Sequence, residues 1–121
     1  MKKLIFGILI VLMATTLAFS ANIVVSSLNG VTITNTDSDY TSPENITVWS
    51  IKFYPSATTD YATIKLNTDT GQVVTVLKNV STLDPVIEYF PLNFRGKIVF
   101  DYSASSIATP ANAMIVVIYR R

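Results

Sequence analysis

The stretch ITVWSIKFY, residues 46–54, decides the fold class. Trp49, Ile51 and Phe53 fall on one side of an extended chain, with Thr47 before them, while Ser50 and Lys52 fall on the other. Alternation with a period of two marks a strand that buries one face. Trp49 is therefore expected in the core. Pro55, which has no N–H to give to a ladder, ends the strand.

The segments on either side have the same character. NIVVSSLNGVTITNT (22–36) holds two β-branched runs around Asn29-Gly30. That pair suits the positive φ angles of a type I′ turn, so a hairpin is expected. TDSDYTSPEN (36–45) is polar, contains Pro43 and reads as the longest loop. YATIKLN (61–67) places Ala62, Ile64 and Leu66 inward; NTDTG then turns the chain, and QVVTVLK (72–78) returns as a second hairpin. In DPVIEYFPLNFRGKIVFDY (84–102), residues 86–90 and 98–102 have strand spacing. Pro91 is expected to close the first of these, and PLNFRG to connect them with Phe94 and Arg95 at its tip. AMIVVIYR (113–120) is apolar on both faces, as expected of a central strand covered from both sides. About eight short strands, spaced by roughly 8–12 residues, predict an all-β domain. The expected architecture is a two-sheet antiparallel β-sandwich of jelly-roll or immunoglobulin-like form.

The N-terminus reads differently. Lys2 and Lys3 precede the apolar run LIFGILIVLMATTLAF (4–19), and Ala18 and Ser20 occupy the −3 and −1 positions of a cut after Ser20. This is the layout of a secretory signal peptide, and the run is shorter than the roughly 20 residues that span a hydrocarbon core. Residues 1–20 are expected to form a hydrophobic leader helix that is removed, the alternative being an uncleaved membrane anchor. Residues 21–121 then form a single domain, secreted or otherwise outside the cytoplasm. Without Lys2 and Lys3, seven basic residues face eight acidic ones, so no basic field exists to attract nucleic acid.

The chain has neither cysteine nor histidine. It therefore has no disulfide staples, thiol nucleophile or thiolate metal site, no Ser-His-Asp triad and no imidazole zinc ligand. No enzyme and no cofactor are expected. Asn35, Asp37 and Asp39 alternate as the oxygen ligands of a calcium loop do. However, Tyr40 stands where such a loop needs glycine, and Ile46 where it needs glutamate, so the stretch reads as a solvated loop. Glu88 and Asp101 are the acids best placed to form a hydrolytic carboxylate pair, but outward-facing acids are the ordinary outcome on strands. Tyr40, Tyr54 and Tyr61, at strand ends or in loops, are the candidates for stacking against a sugar. Asn45 and Asn79 lie in glycosylation acceptor triplets.

From Ile46 onward, IKFYPSATTDYATIKL, VVTVLKNVSTLDPVIEYFP, FRGKIVFDYSASSI and AMIVVIY resemble, in order and strand chemistry, small β-sandwich proteins encoded among bacteriophage and prophage structural genes. The resemblance spans residues 46–119 and carries no catalytic motif. It implies a non-enzymatic surface, decoration or accessory role in a virion, although virion proteins assembled in the cytoplasm rarely need a leader. The expected function is an exported structural or surface-interaction module, meeting a protein partner or a second copy through a sheet edge or loops. Tyr40, Tyr54, Tyr61, Phe94 and Arg95 are the candidate contact residues. The alternative is a carbohydrate-binding or adhesin-like domain that recognises a cell-surface glycan.

Overall fold

The computed structural model describes residues 22–79 and 83–120, with the backbone alone at 91–94. The expected leader, 1–20, lies outside the described residues. Nine strands follow one another: β1 (Ile23–Ser26), β2 (Gly30–Thr34), β3 (Tyr40–Thr41), β4 (Ile46–Tyr54), β5 (Tyr61–Leu66), β6 (Val73–Lys78), β7 (Val86–Gly96), β8 (Ile98–Ser106) and β9 (Met114–Arg120). A short 3₁₀ turn, Pro110–Asn112, leads into β9. The strands form two antiparallel sheets, ordered β1-β2-β9-β4-β7 and β3-β8-β5-β6. This is the expected two-sheet sandwich, with a two-residue strand, β3, inside the stretch read as the longest loop.

One core lies between the sheets. The first sheet contributes Val31, Ile33, Val48, Ile51, Phe53, Ile115 and Val117, and the second Ala62, Ile64, Leu77, Ile98 and Phe100. Each such aliphatic or aromatic side chain, fully buried, contributes about 1.5–3 kcal/mol. With no disulfide available, this packing must offset the chain entropy. The inward phase read for Ala62 and Ile64, and for Ile98 and Phe100, is observed.

Four expectations are corrected. First, β4 does not alternate along its whole length. Its pairing slips between Val48 and Ser50 against both β7 and β9, and because Val48 pairs with Tyr119 and Ser50 with Ile118, Trp49 is an extra, bulged residue relative to β9. A bulge resets the phase of a strand. Ile46 and Val48 point inward before it, Ile51 and Phe53 after it, and Trp49 is 56% exposed. Second, the first hairpin turns at Leu28-Asn29, because Ser26 pairs with Val31 and the Ser27 N–H donates to the Gly30 carbonyl at 2.8 Å. Neither Asn29 nor Gly30 has positive φ. Gly30 instead pairs with Ile118, where a Cβ would approach the Val117 carbonyl oxygen to 3.2 Å, so the glycine serves strand packing and not the turn.

Third, Pro91 does not end its strand. β7 runs through it to Gly96, and Phe94 and Arg95 pair with Val48 and Thr47, so neither is at a loop tip. Proline is tolerated because β7 is an edge strand, and residues 90–93 bow out of the ladder opposite Trp49. The connection to β8 is Lys97 alone. Its N–H donates to the Asn67 side-chain oxygen at 3.3 Å, and its carbonyl accepts the Asn67 N–H at 2.8 Å. Fourth, β9 is central by pairing, but the described residues cover it on one face only. Ile115 and Val117 are buried, whereas Ile118 on the opposite face is exposed.

Candidate functional site

The outer face of the first sheet is the most distinctive surface of the molecule. Residues paired across antiparallel strands share a face, so the registers assemble it row by row. One row runs Val25–Thr32–Val116–Lys52–Ile87, and the next Ile23–Thr34–Met114–Tyr54. In the other direction come Gly30–Ile118–Ser50–Tyr89 and then Arg120–Thr47–Arg95. The rows are mainly apolar or hydroxylic. They hold three cations, Lys52, Arg95 and Arg120, and no carboxylate. The Lys52 ammonium lies 4.9 Å from the centre of the Tyr54 ring, and the Arg95 guanidinium donates to the Thr47 hydroxyl at 3.1 Å.

Trp49 stands between the last two rows. Beside it is an open depression of about 280 Å³ lined by Asn29, Trp49, Ile118, Tyr119 and Arg120. Tyr119 is nearly buried; its N–H donates to the Asn29 carbonyl at 2.9 Å, holding the first hairpin turn against the end of β9. The wall is therefore fixed by backbone pairing, and the bulge fixes the indole. Among the described residues, no hydrogen bond engages the Trp49 indole N–H, the Asn29 side-chain amide or the Arg120 guanidinium. The depression thus offers an aromatic face, an apolar floor and uncommitted donors.

The outer face of the second sheet has different chemistry. Asp101 and Thr63 are register partners on it and both are buried. The Asp101 carboxylate accepts from the Lys65 ammonium at 2.6 Å, the Ser103 hydroxyl at 2.7 Å and the Ala104 N–H at 3.1 Å. The Lys65 bond, more than the others, holds this carboxyl below the usual range against the opposing effect of burial. Asp60 is the other buried carboxylate. Burial pushes its pKa up, but bonds from the Ser56 hydroxyl and from the Ala108, Ser56 and Ala57 N–H groups outweigh this and leave it lowered. Asp60 is engaged in holding loops, and Asp101 in tying β5 to β8.

The residues singled out from sequence do not converge. Tyr40 and Tyr61 flank β8 in the second sheet, opposite Phe100 and Ser106 respectively, six residues or about 20 Å apart along the strand. Tyr54 is on the first sheet. Tyr40 also packs against the core, where burial and the neighbouring Tyr119 raise its pKa. Glu88 is exposed on β7 in the first sheet and Asp101 buried on β8 in the second, so no carboxylate pair faces across a cleft. The 35–39 stretch is pinned as structure: Asn35 has φ 52°, the Asn22 amide donates to the Ser38 and Asp39 carbonyls, and Asp39 accepts the Tyr102 N–H at 2.7 Å. Among the described residues, no three His, Cys, Asp or Glu side chains gather to hold a metal ion. Asn45 is exposed, while Asn79 is buried and unsuited to carry a glycan on the folded domain.

Trp49, Asn29, Ile118 and Arg120 were missed as site residues. A phase conflict did signal Trp49: Ile46 and Val48 have even numbers and Ile51 and Phe53 odd ones, so one residue between them has to be extruded. Set against known proteins, the chain matches no family model, no curated protein and no solved structure.

Proposed function

We propose that this chain is a non-catalytic, exported structural module that associates with a second copy of itself through β1. The observation carrying this is the character of β1. Among the described residues it forms one edge of the first sheet, pairs only with β2, and exposes apolar side chains on both faces: Ile23 at 59%, Val24 at 40% and Val25 at 64%. Unprotected edges of this kind template strand addition. Two of the three remaining edges are blunted. β3 has two residues, β7 carries Pro91 and a bowed segment, and β6 faces β7 at the opposite side of the sandwich. Residues 22–36 contain no charged side chain, so two copies brought edge to edge meet no like-charge repulsion. Antiparallel pairing of β1 with its copy gives a two-fold, self-limiting contact and one continuous sheet.

The strand order supports a finer fold assignment. β2 pairs with β9, β3 with β8, β4 with β7, and β5 with β6, the pattern made when one long antiparallel hairpin is rolled into two sheets. This is a jelly roll with β1 added, an architecture shared by viral capsid and lectin domains. On this reading the module is a phage- or prophage-related structural protein exported through a leader at 1–20. Analytical ultracentrifugation of residues 21–121 tests self-association. A concentration-dependent dimer that Val24→Lys converts to monomer without lowering the melting temperature is expected. A wild-type monomer at about 100 μM, a concentration where even weak specific contacts populate, would refute the β1 contact. Intact mass and location test export: a species beginning at Ala21 in the culture fluid is expected, and a full-length species in membranes opposes it.

A further inference from the structure

We propose that the depression beside Trp49 is a binding site for a sugar ring bearing a carboxylate, either free or within an acidic polysaccharide. The site is independent of the β1 edge: it lies at the end of the sheet where β9 finishes, and none of its lining residues belongs to β1.

The geometry points to this ligand in three steps. An indole exposed over half its surface at a bulge is a flat apolar platform, and bulges commonly re-aim a side chain toward a ligand. Ile118 and Tyr119 continue that surface, and the Trp49 N–H and Asn29 amide add hydrogen-bonding groups at its margin. A ring with an apolar C–H face and a hydroxylated edge satisfies both, whereas a purely aliphatic ligand leaves the donors unmet. The charge then selects among sugars. Arg120 lines the depression, Arg95 shares its row across Thr47, and the described residues of the sheet's outer face carry no carboxylate. A guanidinium with no acid partner among the described residues, beside a stacking platform, favours a carboxylate on the ring and disfavours a cationic ligand.

A single-stranded nucleic acid also combines stacking with negative charge. Its affinity comes from many phosphates at once, which needs a basic groove, and the domain without its leader carries seven basic against eight acidic residues. One or two arginines beside one indole match a single anionic ring better.

The chain has one tryptophan, so tryptophan emission, excited selectively over the six tyrosines, reports this site alone. Residues 21–121 would be titrated with glucuronate and galacturonate trimers, sialyllactose, a neutral cellotriose and oligo-dT. A saturable emission change with at least one acidic sugar is expected, at least tenfold tighter than with cellotriose. Arg120→Gln is expected to weaken that affinity about tenfold while leaving the melting temperature and any cellotriose affinity unchanged. Trp49→Ala, followed by calorimetry because it lacks the fluorophore, is expected to abolish binding. No change with any acidic sugar up to about 10 mM overturns the proposal, as do equal affinities for acidic and neutral sugars, tighter binding of oligo-dT, or an unaffected Arg120→Gln variant. None of these outcomes depends on the oligomeric state, which Val24→Lys sets separately.

Discussion

Replacing Asp60 with alanine should destabilise the domain more than any other single change outside its apolar core. The Asp60 carboxylate, 1% exposed, accepts the Ser56 N–H at 2.7 Å, the Ser56 hydroxyl at 2.5 Å and the Ala57 N–H at 3.0 Å on one oxygen. Its other oxygen accepts the Ala108 N–H at 2.9 Å. One side chain thus ties the β4–β5 connection to the segment that leads into β9, while the Ser56 hydroxyl oxygen accepts the Thr109 N–H at 2.9 Å. Alanine leaves three backbone donors without an acceptor. An unmet buried donor costs about 1–3 kcal/mol, and water entering the loop recovers part of that, so a loss of about 3–4 kcal/mol is expected. For a domain of this size that lowers the melting temperature by about 15–25 °C. Asp60→Asn, which keeps one acceptor oxygen, should fall between alanine and wild type. Thermal unfolding followed by far-ultraviolet circular dichroism measures all three, with Asp69→Asn on the exposed β5–β6 turn as a control. A loss below about 1 kcal/mol for Asp60→Ala would mean that the clasp is dispensable, because solvent satisfies the same donors.

Further outcomes follow from the same structure. Asp60 and Asp101 both have lowered pKa values in the fold, so their stabilisation is complete above the ordinary carboxylate pKa of 3.8 and lost as pH falls through the lowered values. Acid unfolding curves of Asp60→Asn and Asp101→Asn should therefore be flatter than wild type below that pH. Val48→Ala should cost about 2–3 kcal/mol through an internal cavity, and Trp49→Ala less than about 1 kcal/mol. The reverse order in denaturant titrations would place Trp49 in the core and remove the bulge. Gly71→Ala should destabilise the β5–β6 hairpin strongly, since a Cβ there overlaps the Leu66 carbonyl oxygen, whereas Gly30→Ala meets its nearest atom at 3.2 Å and should be milder; paired melting curves decide.

Most strands were legible because their side chains alternate without interruption. Ala62 and Ile64, or Ile98 and Phe100, need only a period of two to be placed, whereas Leu66 and Tyr102, read in the same phase, are half-buried and exposed respectively. What escaped depends on pairing between distant segments. Pro91 reads locally as a terminator, and only its place on an edge strand explains why β7 continues. Asn29-Gly30 reads as a turn, yet Gly30 is required opposite Ile118, 88 positions further along the chain. The candidate site was less legible still. Its residues come from the first turn, the middle of β4 and the end of β9, and no local pattern links Asn29, Trp49 and Arg120. The apolar outer face of β9 was visible as sequence but was assigned a cover that the described chain does not supply.

The packing of β4 explains why the exposed indole is where it is. Ile46 and Val48 require one phase and Ile51 and Phe53 the other, and all four are at most 2% exposed. A regular strand can bury only one of these pairs, at a loss of about 1.5–3 kcal/mol for each side chain turned outward. One extra residue between them reconciles the pairs, and both neighbouring strands register that slip at the same position. The extruded residue has to be tolerable to solvent, and a serine or lysine would meet that demand as well as any. A tryptophan there exposes far more apolar surface than the bulge needs. Core packing therefore accounts for an outward side chain at position 49 but not for its identity. The indole, flanked by Arg120 and Asn29, is the surface that the proposed acidic sugar would use.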